Sequence, residues 1–258
     1  MASSTTPKCA RPGPGFGVEL PLGDFARIAD LDVSVLVELL DEHKVIVVRG
    51  ADITPDEHLD LARRFGPLQV HPYLAKLRSP QPHILVMEGP RALAYTFHSD
   101  ETFLDEPPAT CVLRVHSLPE SGGDTTWVNL EAAYAALPKG IRDRLTKADA
   151  IHRTLDGDRQ ARHPVVRAHP RTGRPALYVN RLYTCALEGV GEAADALLDA
   201  LIDLSEDVAF TYRHAWTPGD VVIWDNCCTQ HRVTDDFNTY RRVERVAVGG
   251  GRPERFGA

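Results

Sequence analysis

The feature that most restricts this chain's fold is a series of short, β-prone segments after residue 84 with no regular strand–helix alternation. Candidate strands cover 84–87, 110–116, 125–128, 164–168, 176–179, 209–214, 220–224 and 242–248. A parallel βαβ fold would need strand and helix to alternate, and a nucleotide-binding one would need a glycine fingerprint ahead of a helix. Here Gly249-Gly250-Gly251 follows the last strand and no helix comes after it. The pattern predicts a mainly β fold with flanking helices, an α+β chain built around a β-sandwich.

The helices are legible from spacing and caps. Val33, Val35, Leu36, Leu39 and Leu40 fall close to helical period over 32–43, and Val45-Ile46-Val47-Val48 then reads as a buried strand. Thr54 suits an N-cap, Pro55 the first helical position and Glu57 the capping-box return, so a helix should run to about Phe65. A helix pair is expected at 130–147. Another, near 191–204, carries Ala194, Leu197, Leu198, Leu201 and Ile202 on one stripe.

Composition narrows the function. The net charge is -7, and Lys and Arg do not gather into a stripe, which disfavours nucleic acid as a partner. No stretch approaches the roughly 20 apolar residues that cross a bilayer, so no membrane role is expected. The start, MASSTTPKCARPGPGFG, lacks a signal peptide's apolar core. It reads as a disordered lead-in over 1–17 to one domain at 18–253, with a tail at 254–258 and a cytoplasmic location. The cysteines are odd in number and form no C-x-x-C pair, so they are expected to be reduced and mostly buried.

His98-Ser99-Asp100 places an imidazole and a carboxylate at i and i+2, on one side of an extended segment. His231 supplies a third candidate ligand. Two imidazoles and one carboxylate leave three open positions, the arrangement of non-haem Fe(II) oxygenases. A keto diacid that chelates the metal leaves its far carboxylate to be held, and a bidentate guanidinium suits it. Arg242, inside a predicted strand, is the candidate, with the Thr125 hydroxyl as an auxiliary.

With these residues in place, the chain resembles the taurine dioxygenase family of Fe(II)/2-oxoglutarate oxygenases. The matching pieces are Phe65-Gly66-Pro67, His98-Ser99-Asp100-Glu101-Thr102-Phe103, Pro107-Pro108-Ala109 and Gly122-Gly123-Asp124-Thr125. They continue through His163-Pro164-Val165-Val166-Arg167, Leu177-Tyr178-Val179-Asn180, Trp224-Asp225-Asn226 up to His231, and Arg241-Arg242. The resemblance implies a distorted double-stranded β-helix (a jelly roll, cupin-like) with iron at its mouth. It also implies that His98, Asp100 and His231 bind Fe(II), and that Thr125 and Arg242 bind 2-oxoglutarate. With O2, a small anionic organic substrate would be hydroxylated or oxidatively cleaved, releasing succinate and CO2. A catalytically silent jelly-roll binding protein is the alternative, and a homodimer or homotetramer fits the family.

The departures concern the substrate end. Family members often carry a second arginine four residues beyond the co-substrate arginine; Val246 stands there, and Arg245 is only three beyond Arg242. Either Arg242 holds the co-substrate and a bulge brings Arg245 round, or Arg241 takes that role with Arg245 on the same face. The distance from His231 favours Arg242. Arg245, Tyr73 and Ala94 are the candidate substrate contacts, Ala94 making that wall apolar. The short stretch 153–162 suggests an open site or one completed by a partner subunit.

Overall fold

A computed structural model describes residues 16–21, 30–72, 74, 81–92 and 94–257. Strand β2 (Val45–Arg49) shows why the fold has layers. Val45 and Val47 point to one face and Ile46 and Val48 to the other, and all four are fully buried. A strand apolar on both faces must be covered twice.

The sheet around it contains β1 (Val18–Pro21), β3 (Leu68–Gln69), β4 (Ile84–Gly89), β5 (Thr110–Ser117), β13 (Val221–Asp225) and β15 (Arg241–Val248). Its order is β1-β2-β13-β5-β15-β3, with β4 also paired to β15. Among the described residues of this sheet, only the β1/β2 pair is parallel.

Helices α1 (Val33–His43) and α2 (Pro55–Arg63) cover the outer face. They pack Leu36, Leu40, Leu59 and Leu61 against Ile46, Val48, Ile223 and Val246. Asp32 caps α1 by accepting from the Ser34 amide, and Thr54 with Glu57 closes the expected capping box on α2. The inner face meets a second antiparallel sheet in the order β12-β6-β14, made of β6 (Thr125–Asn129), β12 (Thr211–His214) and β14 (Thr229–Val233). Val45, Val47, Leu113, Val222 and Trp224 from one sheet interdigitate with Trp127 and Tyr212 from the other.

A third region packs helices α3 (Leu130–Ala136), α4 (Lys139–Leu145) and α5 (Ala194–Ser205) on short strands. These are β7 (Asp149–Arg153), β8 (Gln160–Pro164), β9 (Val166–Ala168), β10 (Pro175–Leu177) and β11 (Thr184–Glu188). The segment expected as one strand at 164–168 is split at Val165 between β8 and β9, which belong to different sheets. Strands β7, β11 and β14 were not expected, because Asp, His, Arg, Thr and Gln dilute their alternation. Helix α5 starts at Ala194 because Ala193 is left-handed, at φ 65°.

The expected tail is docked: the Phe256 amide donates to the Val166 carbonyl at 3.1 Å, and Arg255 pairs with Asp149 at 2.5 Å. The expected lead-in lies outside the described residues up to position 15; Phe16 packs edge-on against Tyr212. Among the described residues, no helix is long and apolar enough to cross a membrane.

His58 ties α2 to the sheet, its Nε2–H donating to the Val112 carbonyl at 2.9 Å. Burial pushes its pKa down to about 4, whereas the unfolded chain takes up that proton near pH ~6.5. The stabilising contribution is therefore complete above about pH 6.5 and shrinks by up to about 1.4 kcal/mol for each unit below it, until about pH 4. Urea unfolding at pH 7.5 and 5.0 should show His58→Gln losing about 2 kcal/mol less than wild type over that interval. Equal losses would place the acid sensitivity elsewhere.

Candidate metal centre

Two distant segments meet at the site through their backbones. The His98 amide donates to the His231 carbonyl at 3.0 Å, and the His231 amide returns the bond to His98 at 2.8 Å. His231 lies on β14 opposite Trp127 of β6, and His98 extends that sheet as an isolated bridge. Both rings therefore face the space between the sheets, 4.5 Å apart by centroid. The ligand atoms of His98, Asp100 and His231 lie within 4.8 Å of one another, and all three residues are buried. The three residues expected to act together are together.

Their neighbours set orientation and charge. His98 Nδ1–H donates to the Thr96 carbonyl at 2.8 Å, which leaves the Nε2 lone pair open beside Asp100, 3.7 Å from its Oδ1. Burial lowers the pKa of both imidazoles, that of His231 to about 3, so both are neutral and able to ligate. Burial works against ionisation of Asp100, but the Arg245 guanidinium beside it holds its carboxyl well below the usual range. The Cys111 thiol donates to Asp100 Oδ2 at 3.2 Å.

The turn carrying Asp100 is clamped by a residue to which sequence reasoning gave no role. Asn226 accepts from the Asp100 amide at 2.7 Å and donates to the carbonyls of Asp100 and Pro108, at 3.1 and 2.9 Å. Its place in the Trp224-Asp225-Asn226 piece, beside a predicted strand, is the signal that could have found it. The preceding Asp225 is held by His169 Nε2 at 2.7 Å and Arg171 at 2.8 Å. Burial opposes its charge, yet these partners keep it down at about 2. His169, Asp225 and Cys228 also cluster like ligands. However, His169 Nδ1 accepts from the Arg171 and Thr172 amides and its Nε2–H goes to Asp225, so this group is closed by its own bonds.

The cluster opens into a cavity of about 170 Å³. One wall is Leu85, Met87, Leu113 and Val243 from the large sheet, and the other is Thr125, Trp127 and Val233 from the small one. Trp127 and Trp224, expected in the core, are buried and also flank His231, at centroid distances of 6.2 and 5.0 Å. Thr125 Oγ1 accepts from Trp216 Nε1 at 3.0 Å, which leaves its hydroxyl proton for the cavity. Gly122 sets the turn before Thr125 with φ at +77°, and a Cβ there would stand 2.4 Å from Asp236.

The arginines correct the preferred sequence reading. Arg242 is absent from the cavity wall. It faces outward, pairing with Glu244 at 3.0 Å and Glu88 at 3.4 Å. Arg241, Val243 and Arg245 line the cavity, as strict alternation demands. A bulge exists, but Arg242 faces Ser117 while Val243 faces Val115, so the extra residue, His116, belongs to β5 and the period of β15 is unbroken.

Arg241 is buried, its Nε and Nη2 have no hydrogen-bond partner among the described residues, and burial lowers its pKa to about 10. Arg245 donates through Nη1 to Asp100 and through Nη2 to Glu101 Oε1 at 2.5 Å. Ala94 is on the cavity wall, as expected, and Tyr73 lies outside the described residues.

The taurine catabolism dioxygenase TauD, TfdA family profile matches residues 9–247. A sulfate ester dioxygenase of Pseudomonas putida, dependent on alpha-ketoglutarate (2-oxoglutarate), is 32% identical, the match covering 87% of this chain and 84% of the relative. The alpha-ketoglutarate-dependent 2,4-dichlorophenoxyacetate dioxygenase of Cupriavidus pinatubonensis is 30% identical over 86% and 90%. A taurine dioxygenase structure from Burkholderia xenovorans superposes with a TM-score of 0.85 at 28% identity, covering 96% of this chain and 93% of that one.

Mainly β architecture, a buried two-histidine and one-aspartate cluster and these relatives define a class: 2-oxoglutarate-dependent non-haem iron dioxygenases, which use Fe(II) and O2. AAD-2, solved with Mn(II) and N-oxalylglycine, shares the fold at a TM-score of 0.83 and 20% identity, covering 96% of this chain and 99% of that one. The chain belongs to the taurine catabolism dioxygenase TauD, TfdA family.

Replacing Asn226 by Ala removes its bonds to buried backbone groups, which should destabilise the fold by about 2–4 kcal/mol. Metal affinity should fall about tenfold, since the turn carrying Asp100 loosens. Thermal unfolding and a Mn(II) titration followed by electron paramagnetic resonance would measure both. Unchanged Mn(II) affinity would show that the clamp does not serve the cluster.

Proposed function

We propose that His98, Asp100 and His231 hold Fe(II), that Arg241 with Thr125 grips the far carboxylate of 2-oxoglutarate, and that the enzyme oxidises a small organic substrate bearing an anionic group. The observation that carries this reading is Arg241. A buried guanidinium with unpartnered Nε–H and Nη2–H groups is costly unless an anion completes it. It shares one cavity with the ligand cluster and with the Thr125 hydroxyl. Those donors suit a carboxylate at the far end of a molecule whose other end reaches the metal. A silent binding protein would have no use for the ligand cluster and this open guanidinium together.

Two facing antiparallel sheets with the cluster between them support a distorted double-stranded β-helix, a jelly roll. Bound at this cluster, the iron supplies O2 activation coupled to decarboxylation of 2-oxoglutarate, which leaves as succinate and CO2, and so oxidation of a substrate C–H bond. The chain's own residues do the rest. Thr96 fixes the His98 tautomer, and Trp127 and Trp224 hold the His231 ring. Leu113, Val243, Leu85 and Met87 keep water from the reacting end, while Arg241 orients the co-substrate. The relatives named for sulfate esters and a phenoxyacetate support a small anionic substrate.

An anaerobic titration of Fe(II) and 2-oxoglutarate into metal-free protein tests the assignment by the weak visible charge-transfer band of the chelate. Wild type should develop the band, and His98→Ala should not. Arg241→Ala should weaken 2-oxoglutarate binding roughly hundredfold, the worth of about 3 kcal/mol in charge-assisted bonds. Arg242→Ala should stay within about threefold of wild type, because its half-buried side chain lies outside the cavity. The reverse ranking would return the co-substrate to Arg242.

A further inference from the structure

We propose that Cys111 is a positioning residue for the metal centre, its thiol holding Asp100 Oδ2 so that the carboxylate offers a single oxygen to the ion. This rests on the iron and 2-oxoglutarate reading of the cluster and adds to it how the chain limits its own ligand atoms.

An ionised carboxylate is able to present both oxygens to a metal. Two imidazoles and one carboxylate oxygen fill three of about six positions, and a second oxygen would take a fourth. A keto acid chelate needs two positions and O2 needs another, so the spare oxygen of Asp100 has to be kept away. Asn226 grips only the Asp100 amide and carbonyl, which leaves the carboxylate free to turn about its side-chain bonds. The carboxylate itself needs a second hold.

Its two oxygens have different partners. Oδ1 lies 3.7 Å from His98 Nε2 and accepts from Arg245 Nη1. A carboxylate oxygen has about two lone-pair directions, so that bond leaves one for an ion. The one hydrogen bond to Oδ2 among the described residues comes from the Cys111 thiol, at 3.2 Å. An ionised carboxylate only accepts, so the sulfur is the donor.

The place of Cys111 in the fold keeps that bond in being. It lies on β5 with Trp224 of β13 on one side and Ala247 of β15 on the other, and it is fully buried. Strand alternation turns it inward with Leu113 and Val115. Leu113 lines the cavity and Cys111 does not, so the thiol reaches Asp100 from behind the wall, where a bound co-substrate does not compete for it. Cys111 is not a member of the ligand cluster. A weak S–H donor withholds Oδ2 while taking little charge from the carboxylate, which keeps Oδ1 a good ligand.

The experiment uses Mn(II) and counts the water molecules bound to it. The readout is the broadening of its electron paramagnetic resonance lines in water enriched in the magnetic oxygen isotope. Each protein form is brought to full Mn(II) occupancy and then titrated with 2-oxoglutarate. Wild type should hold about three waters, falling to about one with the chelate in place. Cys111→Ala should hold about one fewer in each state, because Oδ2 takes a position. Cys111→Ser, which restores a donor, should return to the wild-type count, a rescue that packing alone does not give. Cys111→Val fills the site without a donor and should match Cys111→Ala, so it carries the test if the alanine form does not fold.

A wild-type water count in the donor-free variants would overturn the inference, as would a serine form that behaves like them. Wild type that binds no Mn(II), or keeps all its waters in 2-oxoglutarate, is a different result: it would remove the iron and 2-oxoglutarate reading, and this inference with it.

Discussion

The exchange of backbone hydrogen bonds between His98 and His231 is the contact on which the site depends. It joins a loop before β5 to a strand more than a hundred residues later, and it points both rings between the sheets. Main-chain bonds are suited to this task because they leave the side chains free. An imidazole left open toward the cavity cannot also hold its own segment in place. Asn226 performs the matching service for Asp100, gripping its amide and carbonyl and leaving the carboxylate to the cavity.

Burial governs the electrostatics around that contact. It favours neutral imidazoles at His98 and His231, which suits ligation, and opposes a charged Asp100, which must be offset by Arg245. Arg245 is thereby bound to the protein's own carboxylates, with Glu101 taking its second nitrogen. Burial pushes the Glu101 carboxyl up to about 7, with Arg245 pulling it down and Asp100 adding to the rise. Arg241 stands in the opposite condition, with a charge carried into the interior and left open. The folded chain bears that cost on the wall of the cavity that holds the ligand cluster.

Much of this was legible in the residues. Capping boxes, helical stripes and β-branched runs located α1, α2, β2, β5, β6 and β13, because burial on a fixed face imposes a period on the apolar residues. The polar strand β14, which carries His231, left no such signature. Its side chains meet the ligand cluster through His231, Ser205 through Gln230 and the Phe97 ring through Arg232 rather than a uniform core. Asn226 was visible as part of the family-like Trp224-Asp225-Asn226 piece, but its task was not, since a clamp on a distant backbone has no local pattern.

The arginines mark the boundary most sharply. Residue types and order were enough for the family and for singling out two histidines and an aspartate that the fold brings together, because that chemistry allows few substitutes. Counting along the chain could not say which of Arg241 and Arg242 faces inward. Neighbours on a strand point to opposite faces, and the choice depends on where a bulge falls. That bulge lies in β5, a different strand, so the β15 alternation survives and carries Arg241 and Arg245 into the cavity together. Facing direction is a property of two paired strands, and no single segment contains it.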